Sequence, residues 1–141
     1  MTEITFHVNT PEKLGYACRL LRKAWGAGSK VLVTGEAAAL RELDAMLWTF
    51  SAADFIPHCY DAPEAVRERS PILLADTPQA AAHAEVLLNV GVSVPQGFER
   101  FERLIELVSS DEADLRQGRL RWKHYASRGY ALTRHDQAEA R

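Results

Sequence analysis

The stretch from Arg116 to Arg134, RQGRLRWKHYASRGYALTR, holds six of the seventeen lysines and arginines of this 141-residue chain and no Asp or Glu. The other eleven basic residues stand against all nineteen acids, so about −8 of formal charge lies outside that stretch, on a chain whose net charge is −2. One basic, aromatic-laced surface on an acidic body favours an anionic partner. Helical spacing places Arg116, Arg119 and Lys123 in one row with Trp122 beside it, and Arg121, Tyr125 and Arg128 in a second row. A guanidinium can fork onto a carboxylate while a neighbouring aromatic walls an apolar pocket, a pairing suited to an acidic peptide that ends in a hydrophobic residue and a free carboxylate. A solvated basic helix face is the plainer alternative, since exposed charge runs often contact only water.

Other candidate chemistry is thinner. The strand-Gly-helix junction Val33-Thr34-Gly35-Glu36 invites a nucleotide-binding reading, because glycine lets a backbone approach phosphate at a helix start. Neither G-x-G-x-x-G nor G-x-x-x-x-G-K-[ST] is present, and Glu36 puts negative charge where phosphate would sit. His58-Cys59 and the remaining histidines (His7, His83, His124, His135) show no second spaced pair of the kind zinc needs, and adjacent residues seldom converge on one atom. Asp44, inside LDAMLW, could be a buried acid, but structural networks perturb carboxylates too. No catalytic residue, cofactor site or metal site is assigned. Trp48, Phe50, Phe55, Ile56 and Pro57 gather large apolar surface in a region without helical or strand period. That cluster either finishes the core or anchors a partner.

The elements that must position these residues follow from local pattern. Ile4 to Val8 reads as a strand, Thr10-Pro11 as the start of a helix reaching about Trp25, and Lys30 to Thr34 as a second strand before an Ala/Leu-rich helix ending near Leu47. Trp48 to Ser70 reads as loop-rich, and Pro71 to Ala75 and Val86 to Val90 read as strands. Apolar residues at 98, 101, 104, 105 and 108 predict an amphipathic helix from Phe98 to Val108. Asp111 caps a final helix, Glu112 to Ser127, stopped by Gly129, and the last residues, 135–141, read as a flexible tail. The alternation predicts a single three-layer, Rossmann-like α/β domain with a mostly parallel central sheet. The near-neutral total argues against sequence-independent DNA coating. No secretory signal or bilayer-length apolar run is visible, and Cys18 and Cys59 form no C-x-x-C, which together suit a cytoplasmic, reducing setting.

Read in order, F-x-V in the first strand, A-C-R-L-L, G-x-K-V-L-V, LD-x-x-LW-x-F…F-I-P-H, L-L-N-V…V-P…F-x-R-F-E-R-L-I-E-L-V and R-x-R-W-K-x-Y…G-Y resemble the chi subunit family of bacterial DNA polymerase III over nearly the whole chain. The resemblance implies a nonenzymatic accessory subunit of the clamp-loader complex. It implies two partners: the psi subunit, and the acidic C-terminal tail of single-stranded DNA-binding protein. Carried over by motif, the tail side centres on Arg119, Trp122 and Lys123, supported by Arg121, Tyr125, Gly129 and Arg128, and the psi side on Trp48 and Phe55 with Ile56 and Pro57. A helicase sharing the psi surface is a further partner that the family allows. Ala126 stands where the family often has a basic residue and Gly97 where it often has an aromatic. An α/β enzyme or nucleotide-binding protein is one alternative, and a direct single-stranded DNA binder stacking bases on Trp122, Tyr125 and Tyr130 is another.

Overall fold

The computed structural model describes residues 1–49, 56–60, 70–75 and 83–138. Among the described residues seven strands form one sheet: β1 (Glu3–Thr10), β2 (Val31–Thr34), β3 (His58–Tyr60), β4 (Ile72–Leu74), β5 (Val86–Asn89), β6 (Arg103–Ser109) and β7 (Leu132–Asp136). Their spatial order is β3-β4-β2-β5-β6-β1-β7, and every ladder is parallel. Three helices accompany them among the described residues: α1 (Lys13–Gly26), α2 (Ala37–Thr49) and α3 (Glu112–Ser127). The chain is thus a three-layer α/β fold.

The short central strands VLVT, ILL and VLLN are buried at every position, as a parallel sheet covered on both faces requires. The pleat divides their side chains. Val31, Val33, Ile72, Leu74, Val86 and Leu88 pack with α1 and α2 through residues such as Cys18, Leu21, Leu40 and Leu43. Leu32, Leu73 and Leu87 join Ile4, Phe6 and Leu104 on the other face, where Phe98, Phe101 and Tyr125 complete the core. Cys18 and Cys59 are free and buried.

The helix expected over Phe98 to Val108 is a correction. Phe98–Arg100 is a single 3-10 turn, and Arg103–Ser109 is β6, an interior strand between β5 and β1. Its apolar residues satisfy two periods at once: Leu104, Glu106 and Val108 share one face and Ile105 and Leu107 the other. Glu106 disguised the alternation because its charge is buried. Thr10 does not cap α1. It ends β1 and donates its hydroxyl to the Val108 carbonyl at 3.1 Å, while Glu12, at φ 46°, precedes the helix. Trp48 belongs to the last turn of α2, not to a loop, and β3 and β7 were not anticipated. β7 carries His135 and Asp136 into register with His7 and Val8, so pairing continues past the point where the tail was expected to begin. No helix among the described residues is long and apolar enough to cross a membrane.

Candidate peptide-binding groove

Helix α3 starts where Asp111 accepts the Asp114 N–H at 3.2 Å, and its first turn is pinned to the sheet by Asp114. That carboxylate accepts the Ser109 N–H at 2.8 Å and pairs with Lys13 at 3.1 Å. Burial pushes the Asp114 carboxyl up, but the Ser109 N–H and Lys13 outweigh it and hold it below its ordinary range. At the other end Gly129, at φ +81°, takes the left-handed conformation that terminates the helix.

A buried polar network sets the rotation of α3. Glu106, on β6, is fully buried and accepts from Arg121 Nε at 2.9 Å, Tyr125 Oη at 2.5 Å and Asn89 Nδ2 at 3.0 Å. Arg121 Nη1 also donates to the Val92 carbonyl at 2.9 Å. Burial drives the Glu106 carboxyl above its ordinary range, and Arg121, Tyr125 and Asn89 pull against that shift by stabilising the charged form. The Tyr125 hydroxyl is raised by burial and by the neighbouring carboxylate. Arg121 and Tyr125, expected on the supporting row of a surface site, are therefore interior residues that orient the helix.

With Arg121 and Tyr125 turned inward, the adjoining face of α3 meets the free face of β1 and β7. A groove of about 290 Å³ opens there. Its floor is Phe6 and Val8 of β1, Val108 of β6, and Leu115, Gly118 and Trp122 of α3. Trp122 is half-buried and meets the Phe6 ring edge-on at 5.1 Å. Gly118 lets the helix approach closely, since a Cβ there would come within 2.8 Å of a Val108 methyl. Arg119 and Arg134 line it as cations, with Asn9 beside them. Arg134 pairs with Asp136 at 2.8 Å, whereas Arg119 makes no ion pair among the described residues.

The structure thus brings together Arg119 and Trp122 of the sequence-derived set. Lys123 and Arg116 are exposed on α3 and do not line the groove. Arg128 lines a different cavity with His124 and Tyr130, and its guanidinium donates to the His124 carbonyl at 3.1 Å. Phe6, Val8, Asn9, Leu115, Gly118 and Arg134 were not singled out. Arg134 at least lay inside the acid-free run, whereas nothing local marks Phe6 as half of a groove whose other half is more than a hundred residues away.

On the far side of the molecule Trp48 is 59% exposed, and its ring meets the buried His58 edge-on at 5.0 Å. His58 Nδ1 donates to the Ile56 carbonyl at 2.7 Å, and Nε2 lies 3.1 Å from Asp44 Oδ1, which gives Asp44 a structural partner. Ile56 is wholly buried in the core against α1 and α2, and Pro57 is half-buried. Phe50 and Phe55 lie outside the described residues. Among the described residues no group of three or more His, Cys, Asp or Glu could hold a metal ion.

The family model described as DNA polymerase III chi subunit, HolC, matches residues 1–133. The chain is 32% identical over 140 residues to the DNA polymerase III subunit chi of Pseudomonas aeruginosa, covering 96% of each chain. It is 31% identical over 120 residues to the Haemophilus influenzae protein of the same name, covering 83% of this chain and 82% of that one.

Proposed function

Because the chain belongs to the DNA polymerase III chi subunit family, a replication accessory protein, we propose that its groove between α3 and β1 holds the acidic C-terminal tail of single-stranded DNA-binding protein. One observation carries the reading: an apolar floor built around Trp122 and Phe6 lies beside Arg119, a cation with no ion pair among the described residues. A peptide that ends in phenylalanine and a free carboxylate complements both parts, the ring entering the floor and the carboxylate meeting the guanidinium fork. Exposed Lys123 and Arg116 attract the acidic residues upstream without needing fixed contacts. On the opposite side, the exposed Trp48 is the anchor proposed for psi, which would make the protein a nonenzymatic bridge between clamp loader and coated template.

Direct stacking on single-stranded DNA is the weaker reading, since Tyr125 is wholly buried and Trp122 is engaged by Phe6. The test is a fluorescence titration of a labelled acidic peptide ending in Pro-Phe. Arg119→Ala weakens binding at least roughly tenfold, and Arg119→Lys restores only part of it because an ammonium lacks the planar fork. Binding also weakens with salt. Equal affinity for wild type and Arg119→Ala, or tighter binding of bare oligonucleotide than of peptide, removes the assignment.

A further inference from the structure

The face of the sheet opposite α3 carries a second basic site. There the pleat aligns Arg103 of β6, Thr5 and His7 of β1 and His135 of β7, beside α1, which packs on β6 and reaches His7 through Tyr16. A cavity of about 330 Å³ remains between the end of α1 and these strands. Lys23 of α1 and Ser29 behind it close the polar rim, and aliphatic side chains of α1, β2, β5 and β6 make the floor.

Charge decides what such a cavity takes. Its lining includes an arginine, a lysine, two imidazoles and two hydroxyls and, among the described residues, no carboxylate. Glu3 pairs in register with Arg103 at the start of β1 but does not line the cavity. Neither Lys23 nor Arg103 makes an ion pair among the described residues. The Tyr16 hydroxyl shares a 2.6 Å hydrogen bond with His7 Nδ1, and the His135 ring lies 5.3 Å from that of His7, so both imidazoles are held at the site. Burial above all, with smaller contributions from His135 and Arg103, pushes the His7 imidazole down to about 4.

We propose that this cavity is a binding site for a small phosphomonoester with a planar or aliphatic body. The donors, namely a guanidinium fork, an ammonium, imidazole nitrogens and hydroxyls, outnumber what the two oxygens of one carboxylate accept and suit the three terminal oxygens of a phosphate. The aliphatic floor requires an organic body, because inorganic phosphate would leave that surface wet. The site lies across the sheet from the tail groove and does not depend on it.

Phenyl phosphate is the probe, with inorganic phosphate, benzoate and a single-stranded oligonucleotide as separate arms, followed through the imidazole resonances of His7 and His135. Phenyl phosphate shifts both resonances saturably and binds at least tenfold more tightly than inorganic phosphate or benzoate. Lys23→Gln and Arg103→Gln, both at exposed positions, each weaken it roughly tenfold, while Arg119→Ala leaves it unchanged. Unchanged native tryptophan fluorescence shows that the variants are folded. Absence of a saturable shift at millimolar phenyl phosphate overturns the proposal. So does equal response to inorganic phosphate, tighter binding of the oligonucleotide, or unaltered affinity in both Gln variants.

Discussion

Replacing Arg121 by Met separates an interior organising role from direct contact with a ligand. The guanidinium is 2% exposed and Glu106 is not exposed at all, so removing one partner leaves a carboxylate in the core with Tyr125 and Asn89 as its remaining donors among the described residues. Breaking a buried pair in this way costs about 3–5 kcal/mol, against a total stability of about 5–15 kcal/mol for a domain. For a chain of this size that corresponds to a fall in Tm on the order of 10 °C. An exposed arginine of α3 such as Arg116 would cost within about 0.5 kcal/mol. Urea unfolding followed by tryptophan fluorescence measures both, and the double variant Arg121→Met/Glu106→Gln closes a cycle. Removing the stranded charge recovers about 1–3 kcal/mol of the loss. Under conditions where each variant is folded, the double variant binds the acidic tail far better than Arg119→Ala does. A cost under about 1 kcal/mol for Arg121→Met would refute the buried-pair argument. Loss of tail affinity in a fully stable Arg121→Met protein would instead make Arg121 a ligand contact.

Gly118→Ala sets helix propensity, worth about 1 kcal/mol, against overpacking of about 1–3 kcal/mol, because the new methyl meets Val108 at 2.8 and 3.0 Å. Val108 is buried and β-branched, so overpacking wins: chemical denaturation shows a net loss of about 1 kcal/mol and peptide titration shows a weaker groove. Trp48→Ala weakens the psi complex by about 2 kcal/mol in calorimetry with little change in Tm, since the side chain is largely exposed, and a drop in Tm with unchanged psi affinity would mark it as a packing residue. His7 binds a proton near 6.5 when unfolded and only near 4 when folded, so the unfolded state holds more protons in that window. Stability is therefore complete above about 6.5 and falls as pH drops toward 4, and His7→Gln flattens that slope in pH-dependent urea midpoints.

Much of the fold is written locally. Apolar runs bounded by turn residues locate β1, β2, β4 and β5, and three- and four-residue spacing locates α1 and α2. Asp111 and Gly129 frame α3 to the residue, because caps are chemistry between near neighbours. Of the groove, Arg119 and Trp122 were legible as a cation and an aromatic on adjacent helical positions. The rest depended on contacts between distant segments. Whether Phe98 to Val108 was helix or strand turned on β5 and β1 lying on either side of it, since burial on both faces of a parallel sheet overrides a period that fits both states. Which row of α3 faced inward turned on Glu106, fifteen residues before Arg121 and invisible as its partner until β6 formed. Sequence determined which residues carry charge and which segments have a period; only the tertiary structure decided which charges lost water and needed partners, because desolvation depends on what the rest of the chain lays over them.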